Sequence, residues 1–290
     1  METLIKPRRS VLYIPGSNNR ALKKAIELPA DCLILDLEDS VHPNNKAAAR
    51  NQIITFLKEA DQIKSEIIVR INSLETTWGL EDINAIAKTK VDAILLSKIQ
   101  TPNDVEVAAK LLSEAGSTET PIWVMAETPM SIINLFEIAK HNRVHVIVMG
   151  TSDLIKSLRV PKLENRAGLN YSLSNAVLAA RANGLDIIDG VYLELDDTEG
   201  FRGECIQGRG LGFDGKSLIH PKQLLAANEI FGITKAEADH AKEIIDAWQA
   251  ASKKNKGVIV VRGQLVEKLH VDEANRVIKL FSRITKGYTE

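Results

Sequence analysis

Two acids, Glu127 and Asp153, each stand just past an apolar run: Ile122–Ala126 leads straight into Glu127, and Val144–Met149 is followed by Gly150-Thr151-Ser152-Asp153. Carboxylates are hard oxygen ligands. A pair of them delivered to one edge suits a Mg²⁺ that keeps open positions for a substrate. The alternative is that both are ordinary helix N-terminal acids stabilised by the helix dipole. Other polar residues crowd similar positions. The run Cys32–Leu35 ends in Asp36-Leu37-Glu38-Asp39, Arg70 sits inside the apolar stretch Glu66–Ile71 before Asn72, and later runs end near Lys98, Asp189 and His220-Pro221. Charges at so many run ends are costly to bury unless they bind something. Arg70 suits bidentate carboxylate binding, with a salt bridge to Asp36 or Glu38 as the other reading. Asp36, Glu38 and Asp39 would surround the metal or orient Arg70 from behind. His220, held by the following proline, fits a structural role as well as a catalytic one. No Ser–His, Cys–His or zinc-type cluster is visible, so nucleophilic catalysis lacks support.

The elements that would position these groups alternate almost from end to end. Strands are expected at Ser10–Ile14, Cys32–Leu35, Glu66–Ile71, Val91–Leu96, Ile122–Ala126, Val144–Met149, near Ile187-Ile188 and at Lys216–Ile219. Helices are expected over 19–28, 46–59, 80–88, 102–115, the stretch containing Ile132, Ile133, Leu135, Phe136 and Ile138, then 173–183 and 198–208. Strands with near-continuous apolar runs are buried on both faces, as in parallel sheets. Eight βα units fit a (β/α)₈ TIM barrel better than an open doubly wound sheet, and in either fold ligands bind at the C-terminal strand edge. Beyond Gly232 the pattern changes: a charged helix from Thr234 to Lys254 with a Thr234/Glu237 capping box, a hairpin through Arg262-Gly263, and a helix over 271–281. The expected organisation is a barrel over 1–232 and a small helical and hairpin lid or interface segment over 233–290.

Composition narrows the partners. In 290 residues, 37 Lys and Arg against 38 Asp and Glu give a net charge of −1, which excludes nothing locally but predicts neither nucleic-acid nor membrane-surface binding. The apolar runs are strand-length, far short of the roughly 20 residues that span a bilayer. No secretory signal is visible, and Cys32 and Cys205 lie far apart, so a cytoplasmic setting is expected. There is no GxGxxG or GxxxxGK[ST] motif for dinucleotides or a P-loop.

Four stretches, RSVLYIPG (9–16), LDLEDSVHPNNKAAAR (35–50), VRIN (69–72) and GFDGKSLIHPKQ (212–223), resemble in order and spacing the citrate lyase β-subunit family, with its malyl-CoA and citramalyl-CoA lyases, of the HpcH/HpaI aldolase superfamily. NSLETTWG (72–79) is similar to the citrate lyase β-subunit itself. The resemblance implies a TIM barrel with a C-terminal lid, usually oligomeric and family-typically a trimer, or part of a citrate-lyase-type complex. It implies Glu127 and Asp153 as Mg²⁺ ligands, Arg70 on the 2-oxo-acid carboxylate, and Glu38 and Asp39 beside the metal. Pro15, Gly16 and Arg20 would face the CoA or acyl carrier protein thioester. The implied reaction cleaves a citryl-, citramalyl- or malyl-type 3-hydroxyacyl thioester into an acetyl thioester and a 2-oxo acid. Glu267 stands where relatives carry the lid aspartate that protonates the enolate, and Ser97-Lys98 where they carry Pro-Lys. Two other readings accompany the lyase: a complex-forming subunit of little activity, and an acyl-CoA thioesterase.

Overall fold

Each near-continuous apolar run becomes a strand covered on both faces, and the strands close into a parallel barrel. The computed structural model describes residues 5–59, 63–161, 164–253 and 257–286. The chain divides into two units, one spanning Arg8–Ile230 and the other gathering the residues from Phe231 onward with those before Arg8.

In the first unit β1 (Ser10–Pro15), α1 (Asn19–Ala25), β2 (Cys32–Asp36), α2 (Lys46–Glu59), β3 (Glu66–Ile71), α3 (Thr77–Ile86), β4 (Ala93–Leu96) and α4 (Pro102–Glu114) form the first half. Then come β5 (Ile122–Ala126), α5 (Pro129–Ile138), β6 (Val144–Met149), α6 (Thr151–Leu158), α7 (Asn170–Ala182), β7 (Asp186–Asp189), α8 (Thr198–Leu211), β8 (Gly215–Leu218) and α9 (Leu224–Ile230). The strands pair in sequence order, and β8 returns to β1, so the (β/α)₈ barrel expected from the sequence is the fold. α6 and α9 were not foreseen. α5 presents a narrower apolar face than its sequence implies: Ile132, Leu135 and Ile138 are buried, whereas Ile133 is 72% and Phe136 38% exposed.

Strand alternation fills the barrel. Val11, Cys32, Ile34, Ile68, Leu95, Trp123, Met125, Val146, Val148 and Ile188 pack together inside it, with Tyr13 against them. The same two-residue period carries on past the apolar layer. Asp36 follows Cys32 and Ile34, Arg70 follows Ile68, and Glu127 follows Trp123 and Met125. These charges therefore stand on the inward rows at the C-terminal end, so one periodicity sets both core and site. At the opposite end, Arg8 lies over the Trp123 ring, 5.3 Å from its centroid, and pairs with Glu66 (2.7 Å) and with Asp186.

In the second unit α10 (Lys235–Ser252) starts at the expected Thr234/Glu237 capping box. A hairpin of β9 (Ile259–Val261) and β10 (Gln264–Val266) precedes α11 (Lys268–Lys286). Val261, Val266 and Val271 pack with Ile244, Ala247, Trp248 and Ile259 as a small separate core. Lys254, the last residue expected in the charged helix, lies outside the described residues.

Candidate active site

Asp36 and Arg70 are register partners on adjacent parallel strands and point the same way, so they meet. Asp36 takes the guanidinium in a fork, 2.7 Å from Nε and 2.6 Å from Nη2. Nη1 lies 2.8 Å from Glu38 Oε2, off the hydrogen-bonding direction, and 3.7 Å from Asp39. The Tyr13 ring lies beneath, 4.8 Å from the guanidinium carbon. The bidentate edge expected to receive a substrate carboxylate is thus taken by Asp36, which also accepts from the Glu38 and Ser40 amides. Nη1 also donates to Met125 Sδ at 3.7 Å, so a ligand carboxylate reaching this corner would share it with Glu38. Burial opposes the Asp36 charge, but Arg70 outweighs it and holds the carboxyl below its usual range.

The second cluster gathers around Lys98, which lies two residues past β4. Its ammonium is 3.5 Å from Glu127 Oε2 and 3.9 Å from Glu38 Oε1, and it pairs closely with Asp153. Lys98 adopts a left-handed backbone, φ 55°, rare for a residue with a side chain. Its amide donates to Glu127 Oε1 at 2.5 Å. Gly150 caps α6 with its amide on Ala126 O, and a Cβ there would meet Glu127 Cβ at 2.3 Å. Only glycine lets β6 pass this close, and that approach brings Asp153, in the first turn of α6, beside Glu127. Burial raises the Glu127 carboxyl, with Lys98 pulling the other way.

Glu38 links the two clusters. Its main chain is anchored by Lys46, whose ammonium donates to the carbonyls of Leu37 (2.8 Å) and Glu38 (2.7 Å). Burial lifts its carboxyl to about 7, against Arg70 and with help from Asp39 and Glu127. Between its ordinary value near 4.5 and about 7 the native state holds more protons here than the unfolded chain, so stability falls as pH rises through that window. In metal-free protein Glu38→Gln should flatten this decline. Urea midpoints from about pH 5 to about pH 7.5 would show it, and a variant declining as steeply as the parent would refute it.

The remaining expected residues are more dispersed. Gly16 donates its amide to Asp36 O at 2.8 Å, and a Cβ there would meet that oxygen at 2.8 Å, so the Pro15-Gly16 turn is pressed onto the β2 end. Arg20 is exposed on α1. Glu267 belongs to the other unit, exposed at the start of α11, with its amide on His270 Nδ1. His220 caps a short turn through the Lys222 amide. Asp189 is fully buried between Lys216 (3.0 Å) and Arg166 (2.7 Å), both also paired with Glu204. Arg166, Lys216 and Glu204 escaped sequence reading, as did Arg50, whose Nε reaches Asp82 while Asp82 accepts from Asn72. Lys46 and Arg50 lie inside the motif 35–50, and that was the available signal. A separate cavity of about 850 Å³ is lined by Ser152, Arg166, Leu169, Tyr192, Glu204 and Gln207, and by none of Glu38, Arg70 or Glu127.

Glu127 and Asp153, already converging on one cation, are an oxygen-only donor set that fits a hard divalent ion. Among the described residues no group of three or more His, Cys, Asp or Glu side chains is placed to hold a metal ion. Residues 9–221 match the HpcH/HpaI aldolase/citrate lyase family. The chain belongs to this family. It is 44% identical, over 94% of both chains, to the (3S)-malyl-CoA thioesterase of Cereibacter sphaeroides strain ATCC 17025. It is 32% identical to citrate lyase subunit beta of Escherichia coli K12, over 94% of this chain and 93% of that one. A solved structure of CitE from Mycobacterium tuberculosis in complex with magnesium, acetoacetate and coenzyme A superposes with a TM-score of 0.75 at 26% identity, covering 96% of this chain and 98% of that one. That CitE structure thus shares this fold along nearly its whole length.

Proposed function

We propose that this chain is a Mg²⁺-dependent enzyme that hydrolyses a malyl-type 3-hydroxyacyl-CoA thioester. The observation that carries the reading is the 44% identity, over 94% of both chains, to a (3S)-malyl-CoA thioesterase. The site suits such a substrate. Glu127 and Asp153 would hold the ion, and the magnesium in the CitE complex supports the choice of metal. When bound, Mg²⁺ would supply Lewis-acid polarisation of substrate oxygens. Arg70 Nη1 pairs with the acid's carboxylate, while Asp36 keeps the guanidinium from turning. Glu38, between Arg70 and Lys98, takes a proton from the water that attacks the thioester carbonyl and passes it to the departing sulfur, so that CoA leaves as the thiol. Pro15, Gly16 and Arg20 face the carrier.

Carbon–carbon cleavage is the second reading, favoured by the 32% identity to citrate lyase subunit beta. In it Glu38 or Asp39 takes the 3-hydroxyl proton, the bond to the thioester-bearing carbon breaks, and Glu267 of the C-terminal lid protonates the enolate. One methylene separates Glu267 from the aspartate of lyase relatives, and about 1 Å of misplacement costs on the order of 100-fold. The weakness of that donor favours hydrolysis.

The proposal extends to an assembly of copies or a citrate-lyase-type complex in the cytoplasm. Ile133 on α5 and Tyr171 and Leu178 on α7 are exposed, and no helix of the described residues is long and apolar enough to cross a membrane. Malyl-, citramalyl- and citryl-CoA offered with Mg²⁺ separate the readings. Free CoA without glyoxylate, pyruvate or oxaloacetate is the expected result. An oxo acid without free CoA would establish the lyase instead, and no turnover at all would leave a complex-forming subunit.

A further inference from the structure

The Lys98 ammonium lies among the acids, Glu127 and Asp153, that would hold a divalent ion. It lies 3.5 Å from Glu127 Oε2 and 3.9 Å from Glu38 Oε1, in close pairing with Asp153. An ion coordinated at about 2.0–2.1 Å by Glu127 and Asp153 oxygens needs the space between them. Two cations in that space repel strongly, because the acids are partly desolvated. Glu127 and Glu38 are buried, at 1% and 7% exposure, and their charges need a counter-ion inside the protein.

We infer that Lys98 is a tethered internal cation that pairs with the metal-binding acids Glu127 and Asp153 and is displaced when the divalent ion enters. This rests on the reading that Glu127 and Asp153 bind the metal. The two halves of Lys98 have separate tasks. Its backbone, held at φ 55°, keeps its amide on Glu127 Oε1 at 2.5 Å and so fixes the acid whichever cation is present. Its side chain is one third exposed and ends four methylenes away, so it has both a path to solvent and the reach to take it. The ligand is any hard divalent cation of Mg²⁺ size. An internal competitor lowers apparent affinity by the fraction of molecules whose locus is vacant.

Mn²⁺ is the probe, because its free form is read directly by electron paramagnetic resonance. In the full chain, saturating Mn²⁺ should raise acylation of Lys98 by acetic anhydride several-fold, scored by mass spectrometry against Lys235 and Lys110 on the same molecule. Lys98→Met should bind Mn²⁺ about tenfold more tightly than the parent. Mn²⁺ binding that protects Lys98 or leaves its acylation unchanged would overturn the displacement while leaving the metal site standing. No Mn²⁺ binding by either parent or variant would overturn both. The acylation is measured on the unmutated protein, so the test survives a variant that fails to fold.

Discussion

Glu127→Ala and Asp153→Ala should each lower Mg²⁺-dependent turnover roughly a thousandfold, because polarisation by a bound metal is worth several kcal/mol and about 1.4 kcal/mol is tenfold in rate. The fold should survive both changes. Burial raises the Glu127 carboxyl, so its charge burdens the metal-free protein, and removing it relieves that burden. Lys98 keeps the other acids as partners in either variant. Asp153 is only partly covered, with its side chain 37% exposed. kcat/KM measured across a Mg²⁺ titration, beside a thermal melt in chelator, reads function and fold separately. Full activity in either variant would sink the metal assignment. Lost activity together with a collapsed melt would reduce both acids to structural parts.

Asp36→Asn should have the largest effect on stability, lowering it by about 3 kcal/mol, the lower end for breaking a buried ion pair, since Glu38 stays beside Arg70. Asp36 and Arg70 are 1% and 7% exposed, so the orphaned guanidinium cannot recover its lost partner from water. The pH dependence has a definite sign. A carboxyl held below its unfolded value gives stability that is present above the ordinary aspartate range and disappears as pH falls through the native value. The deficit of the variant should therefore be full at neutral pH and shrink in strong acid. Urea unfolding with an unchanged m-value checks it, and a neutral-pH loss under about 1 kcal/mol would show the pair to be dispensable. Activity should fall as well, because Nη1 would no longer be aimed.

The barrel was legible because its signal is redundant: eight runs of strand length, all but the last followed by a helical period before the next. α6 was hidden because its cap, Gly150, makes no side-chain cap bond and the Gly-Thr-Ser that opens it reads as a loop. Ile133 read as core because periodicity gives a face and not its width. Within the site, the acids were visible through their place after apolar runs, but their partners were not. The Asp36 fork on Arg70 depends on register across two strands, which no single strand carries. Lys98 gave no hint of its left-handed backbone, since neither Gly nor Asn marks the position. Lys216, inside a short strand, is wholly buried only because β7 and α8 bring it Asp189 and Glu204.

The closing seam of the barrel sets its own demand on the chain. Ser10 pairs with Lys216 across that seam, whereas Val11 pairs with Cys32 in the first parallel pair. Loop-closure entropy grows with the logarithm of the chain enclosed, so joining the ends of this barrel costs about 2 kcal/mol more than joining its first two strands. The strands that carry Asp36, Arg70, Lys98, Glu127 and Asp153 run from β2 to β6 and pair only with sequence neighbours. The reactive edge is thus drawn from the entropically cheap part of the ring, while the long-range closure is made on the other side by the β1–β8 ladder, where the Lys216 amide donates to Arg9 O.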